Sequence, residues 1–128
     1  MDACACDREP VRFDVPSSLT AAAPQGTPTA GICPRCLTVV PASAGGDPDF
    51  SRISDAFPDG QGGVALALAI GRLESLAGNR PAIEDALAAV ERAGADPLLV
   101  IDRLLADPAV EPAIDLERRR MQLESMLY

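Results

Sequence analysis

The sequence predicts an α+β fold, with an N-terminal zinc ribbon of short antiparallel strands packed on a C-terminal bundle of about four helices. Three observations carry this expectation. Four cysteines fall in two close pairs, Cys4/Cys6 and Cys33/Cys36, near the start of the chain. Composition changes once, near residue 60, from Pro, Gly, Ser and Thr to Ala, Leu, Glu and Arg. Beyond that point apolar residues recur at helical spacing. The expected units are a ribbon over residues 1–41, a linker with a short helical turn over 42–61, and a helical bundle over 62–128. At 128 residues the chain can form one compact domain or two small units around a shared core.

Each element has its own signal. Val11-Arg12-Phe13-Asp14-Val15 alternates apolar and polar until Pro16, which reads as a strand. Leu37-Thr38-Val39-Val40, closed by Pro41, is the second strand candidate. The stretch 21–31 between them holds two Pro and two Gly and reads as loop. Phe50, Ile53 and Phe57 fall at i, i+3 and i+7, which suggests one or two helical turns, and the two Phe are expected to clip the N-terminal half onto the helices. Gly60-Gln61-Gly62-Gly63 reads as a flexible hinge, lacking the Lys and Ser/Thr of a phosphate loop. From Gly62 a nearly all-apolar, hence central, helix is expected to run through Leu73 and Leu76 to Gly78. Its Val64, Leu66, Leu68 and Ile70 also alternate like a strand, but the intervening Ala residues favour helix.

A second helix opens near Asn79 with Pro81 in its first turn, turns Ile83, Ala86, Leu87 and Val90 inward, and stops at Gly94. Asp96-Pro97 is an N-cap followed by the favoured first residue, opening a helix with Leu98, Ile101, Leu104 and Leu105 inward. Ala106-Asp107-Pro108 ends it. Pro112 restarts the chain, and Asp115 caps a last helix with Leu116, Leu123 and Leu127 inside. Short connections predict antiparallel neighbours.

Composition excludes several chemistries. Hydrophobic residues make up 48% of the chain but aromatics only 3%, so the core is aliphatic. Histidine is absent, which removes an imidazole base, a Ser-His-Asp triad and any His-bearing zinc site. Ser17, Ser18 and Ser43 have no base to activate them. The formal charge is −8, and all 11 basic residues are Arg. An acidic, Lys-free surface suits concentrated salt, because carboxylates stay hydrated where Lys stems expose apolar surface; an acidic protein of a GC-rich genome is the plainer alternative. Eight acids face four Arg over 1–60 and eleven face seven over 61–128, so neither half is a basic module. The opening Met1-Asp2 lacks the basic start and apolar run of a secretion signal, and the longest apolar stretch, 64–70, is far short of the ~20 residues of a span. A cytoplasmic location is expected, where four cysteines point to metal rather than disulfides.

Cys33-Pro34-Arg35-Cys36 is the sharpest motif. A Cys-x-x-Cys turn sets two thiolates one tetrahedral edge apart while its amides donate to sulfur, and Pro stiffens it. Cys4-Ala5-Cys6 lies upstream, with 26 residues between Cys6 and Cys33. Two such pairs, each beside a strand candidate, have the layout of a zinc ribbon, with Cys4, Cys6, Cys33 and Cys36 holding one structural Zn2+. The first pair is a residue short and cannot form the same amide-to-sulfur turn, which predicts a looser corner. An iron site, a thiol redox pair and a metal-free cluster are the alternatives. A strand after Cys36, rather than a helix, argues against thioredoxin-like chemistry.

With these residues in hand, the chain resembles a family of small haloarchaeal proteins of unknown function that join an N-terminal zinc ribbon to an Ala/Leu-rich helical region. The resemblance rests on the paired cysteines, Ile32-Cys33-Pro34-Arg35-Cys36-Leu37, the stretch 50–57 and the run 65–120, and covers nearly the whole chain. It implies zinc at Cys4, Cys6, Cys33 and Cys36 and no established activity. In such proteins the first pair is usually Cys-x-x-Cys, from which Cys4-Ala5-Cys6 departs.

The remaining motifs are weak. Arg118-Arg119-Arg120 fans over ~300° of a helix and forms no flat phosphate-binding stripe; Arg120 is expected to snorkel or to pair with Glu117 or Glu124. Asp47, Asp49, Asp55 and Asp59 lack calcium-loop spacing and read as a hydrated linker. The expected function is therefore non-enzymatic: a zinc-binding adaptor meeting a protein partner through the ribbon edge or an exposed helix face. A nucleic-acid-associated regulator and a thiol redox protein are the alternatives. The oligomeric state is open.

Overall fold

In the computed structural model, which describes residues 4 and 6–127, a three-stranded antiparallel sheet lies at the N-terminal end with four α-helices packed on it. The expected opening at Met1-Asp2 and the middle of the first cysteine pair, Ala5, lie outside the described residues. Strand β1 is Val11–Asp14, β2 is Thr29–Ile32 and β3 is Val39–Pro41, in the order β1-β2-β3. Val11 pairs with Ile32, and Ile32 with Val39. In β1 the alternation does what it predicts: Val11 and Phe13 are buried, Arg12 and Asp14 exposed.

The centre of the sheet overturns one expectation. Thr29-Ala30-Gly31, read as the end of a loop, forms the middle strand together with Ile32. Ala30, Gly31 and Ile32 are all buried, so the strand is covered on both faces and carries no alternation to find. Two 3₁₀ stretches, Ser17–Ala22 and Pro24–Gly26, fill the rest of the β1–β2 connection. The second strand candidate is shifted: Leu37 and Thr38 belong to the turn before β3, and Pro41 is its last residue.

Helix α1 (Gly60–Gly71) buries every residue from Gly62 to Ile70, as an all-apolar central helix must. It ends at Gly71, five residues before Leu76, and 3₁₀ turns at Leu73–Ser75 and Ala77–Asn79 take over. Gly71 lies so close to β3 that a Cβ there would come 2.7 Å from Cβ of Val39. The expected hinge at Gly60-Gln61-Gly62-Gly63 is instead the first turn of α1. Glycine is needed there because a Cβ on Gly63 would meet the Phe50 ring and the Pro58 carbonyl. Phe50 stacks on Phe57 at a centroid distance of 5.2 Å and tilts against Phe13 at 5.9 Å, so the clip between sheet and helices forms as expected.

Helix α2 (Arg80–Arg92) packs most extensively on α1 and buries Ile83, Ala86, Leu87 and Val90. Helix α3 (Pro97–Ala106) is capped by Asp96, whose carboxylate accepts from the amides of Leu98 and Leu99. Its inner face is Leu98, Val100, Ile101 and Leu104; Leu105, expected inside, is exposed because the stripe follows 97, 101 and 104 past it. Helix α4 (Leu116–Leu127) opens on Asp115, which accepts from the Arg118 amide, and buries Leu116 and Leu123. One contiguous apolar core runs from Val11 to Leu123. Each large side chain fully enclosed in it contributes on the order of 1.5–3 kcal/mol. Among the described residues no helix is long and apolar enough to cross a membrane.

Candidate metal centre

The Cys33-Pro34-Arg35-Cys36 segment turns the chain between β2 and β3. The turn closes by hydrogen bonds from the Leu37 amide to the Cys33 carbonyl (3.0 Å) and from the Cys33 amide to the Thr38 carbonyl (2.9 Å). Leaving it requires a left-handed residue, and Leu37 supplies one with φ of +65°. Leu is an unfavourable choice for that backbone, but its side chain is buried in the core. Inside the turn the amides of Cys36 and Arg35 donate to the Cys33 sulfur. The Cys36 sulfur lies 3.0 Å from the Thr38 hydroxyl.

Cys4 and Cys6 approach from the segment before β1. The Cys6 amide acts on the Cys4 sulfur, as the Cys36 and Arg35 amides act on the sulfur of Cys33. Asp7, directly after Cys6, is also left-handed, with φ of +57°. Arg52, from the 3₁₀ turn at Phe50–Arg52, holds the segment by donating to the Glu9 carbonyl.

The two pairs converge. The four sulfurs all lie within 4.8 Å of one another, and no disulfide joins them. Sulfurs ~2.3 Å from one tetrahedral zinc are about 3.8 Å apart, so only a slight contraction separates this cluster from a coordination shell. Cys33 and Cys36 are buried, Cys6 is intermediate and Cys4 exposed. The donor set is thus closed on the turn side and open on the N-terminal side.

Crowding splits the thiols. Burial opposes ionisation of Cys33, but the amides of Cys36 and Arg35 outweigh it and bring the thiol down to about 7. At Cys6 desolvation comes first and hydrogen bonding with Cys36, Cys4 and Cys33 adds to it, pushing the thiol up to about 12. At Cys4 the Cys6 amide acts to lower the thiol, yet desolvation and the sulfurs of Cys36 and Cys33 leave it raised. Arg35 is held charged by Glu111 first, and then by the nearby Cys6 and Cys33.

The other motifs resolve into structure. Arg120 pairs with Asp102 (2.8 Å) and Glu124 (2.7 Å), tying α4 to α3, and Arg119 donates to the Glu74 carbonyl and to Gln122. Asp49 accepts from the Ser51 amide at the start of the Phe50–Arg52 turn. Two residues that sequence reasoning missed touch the cysteine turn from far along the chain. The Glu111 amide donates to the Arg35 carbonyl and the Ala113 amide to the Cys36 carbonyl. Nothing in the 109–114 spacing signals this; Pro112 reads only as a restart.

The model of a protein family described as Family of unknown function (DUF6276) matches residues 3–127. The chain belongs to this family. The match takes in both cysteine pairs of this DUF6276 member, its sheet and all four helices. Neither the curated proteins nor the solved structures returned a match.

Proposed function

We propose that the protein is a non-enzymatic zinc-binding adaptor of the reducing cytoplasm, its fold closed by one Zn2+ on Cys4, Cys6, Cys33 and Cys36. The observation that carries the reading is the convergence of four free thiols within 4.8 Å. A zinc ion bound there would cross-link the segment before β1 to the β2–β3 turn and, with sulfur in all four positions, would leave none for water or substrate. Zinc is favoured over iron as the redox-silent ion common to structural sites with four cysteine ligands.

Two features narrow how a partner would be met. Thr38 and Ala42 face β2, the Thr38 carbonyl accepting from the Cys33 amide and the Ala42 amide donating to the Thr29 carbonyl, so alternation turns the backbone groups of Val39 and Pro41 outward. Proline has no N–H, which makes β3 a poor edge for an added strand and favours a helix-face partner. Arg119 and Arg120 are occupied within the fold, which weighs against the nucleic-acid alternative. The cysteine turn leads into a strand and not a helix N-terminus, which weighs against the thiol redox alternative. The Lys-free charge of −8 fits a protein that works in concentrated salt.

The test is affinity capture on the intact zinc-loaded chain at high salt, with the Cys33→Ser/Cys36→Ser double variant as control. The reading expects one protein retained by the wild type, absent from the control and free of DNA and RNA. Metal-dependent turnover of a small molecule, or an eluate carried by nucleic acid, would contradict it.

A further inference from the structure

The connection between α3 and α4 reaches back across the cysteine turn. The Glu111 amide donates to the Arg35 carbonyl at 2.8 Å and the Ala113 amide to the Cys36 carbonyl at 3.0 Å. Arg35 returns the contact, its Nε and Nη2 reaching Glu111 Oε1 at 3.1 and 2.6 Å across 76 residues of sequence.

Peptide planarity gives these bonds a direction. The Arg35 carbonyl and the Cys36 amide belong to one plane and point opposite ways. The Glu111 amide therefore feeds a chain that passes through that peptide to the Cys33 sulfur. The Ala113 amide feeds a second chain, through the Cys36 carbonyl and the Leu37 amide, that ends on the Cys33 carbonyl and closes the turn. Hydrogen bonds in series polarise one another, so each strap bond strengthens a bond that shapes the sulfur site. The same strap leads within a few residues into the Asp115 cap of α4.

We infer that Glu111, Ala113 and Arg35 form an outer shell that positions the cysteine turn, so that metal occupancy and docking of the C-terminal helix favour each other. The inference rests on the metal-centre reading above. Outer-shell partners commonly change metal affinity about 10–100-fold, and linkage makes the effect reciprocal. None of the three residues is a ligand.

The experiment uses the full chain in reducing buffer. Zinc affinity is measured by competition with a chromogenic chelator for the wild type, Glu111→Gln (ion pair removed, amide kept), Ala113→Pro (amide removed) and Glu84→Gln, which breaks a surface pair with Arg80 on α2. In parallel, amide exchange of the wild type is followed with and without Zn2+. Expected are an affinity loss of about tenfold or more in Glu111→Gln and Ala113→Pro, none in Glu84→Gln, and zinc-dependent protection of the Glu111 and Ala113 amides and the first turn of α4. Affinities within about twofold of wild type, or strap amides whose exchange ignores zinc, would overturn the coupling. The exchange measurement decides even if Ala113→Pro does not fold. A wild type that takes up no zinc overturns the metal-centre reading itself, which separates the two failures.

Discussion

Asp7 and Leu37 hold the same place in two different turns. Each directly follows the second cysteine of a pair, and each is left-handed, at φ of +57° and +65°. The two turns therefore share a backbone solution despite unequal spacing, one built on Cys-x-Cys and the other on Cys-x-x-Cys. The tails differ: Asp7 is exposed, whereas Leu37 is buried in the core.

This relationship predicts an inverted order of substitutions at residue 37. Left-handed backbone costs a residue with a Cβ about 1–2 kcal/mol, while losing a buried Leu side chain costs about 2–5 kcal/mol. Leu37→Gly loses the packing but sheds the strain; Leu37→Ala loses the packing and keeps the strain. Urea unfolding should find both destabilised, with Ala worse than Gly by about 1 kcal/mol. An Ala variant at least as stable as the Gly variant would show that the left-handed turn carries no strain.

Gly63 and Gly78 predict opposite outcomes for the same substitution. A Cβ on Gly63 meets the Phe50 ring and the fixed Pro58 carbonyl, whereas one on Gly78 meets nothing within 4 Å. Gly63→Ala should lose about 1–3 kcal/mol or more through overpacking. Gly78→Ala should be neutral or stabilising by about 0.4–1 kcal/mol through the unfolded state. Thermal unfolding of the two variants beside the wild type checks this, and a harmless Gly63→Ala would contradict the close approach of α1 to Phe50.

The divided thiols predict a stability maximum for the metal-free, reduced chain. Cys33 is near 7 when folded against an ordinary 9.0, so its contribution is present above pH 9 and fades as pH falls through 7. Cys6 is near 12 when folded, so its contribution is present below pH 9 and fades as pH rises through 12; Cys4 acts in the same direction. Denaturant midpoints should therefore be higher near pH 9 than near pH 7 or pH 11. A steady decline from pH 7 upward would contradict the amide bonds to the Cys33 sulfur.

Sequence patterns revealed the parts of this molecule that depend on local chemistry. The caps at Asp96 and Asp115, the Phe50–Phe57 clip and the apolar helix α1 all follow from neighbouring residues. Both cysteine pairs were legible for the same reason: a thiol pair at turn spacing has few other uses. The middle strand was not, because Ala30, Gly31 and Ile32 are enclosed on both faces and their Pro/Gly-rich approach resembles a loop. Gly60-Gln61-Gly62-Gly63 looked like a hinge because the need for glycine at 63 comes from the Phe50 ring and the Pro58 carbonyl, which the spacing does not announce. Glu111 and Ala113 were invisible, since they act through main-chain amides that no residue type announces.

The salt response follows from the charge. A chain at −8 repels itself, and screening reaches only about 3 Å at molar salt against about 10 Å at 0.1 M. The exposed pairs Arg12–Glu9 and Arg80–Glu84 offer little to lose on screening. The midpoint of thermal unfolding should rise between dilute buffer and molar KCl; a fall would mean that ion pairs outweigh the repulsion.

The central claim is that two distant cysteine pairs grip one ion, and native mass spectrometry of the reduced, intact chain tests it most directly. The account predicts one zinc per chain, retained by the wild type and lost or weakened when any one of Cys4, Cys6, Cys33 or Cys36 is replaced by Ser. A chain that carries no metal under these conditions, or that holds its metal equally well without Cys4 and Cys6, would contradict it.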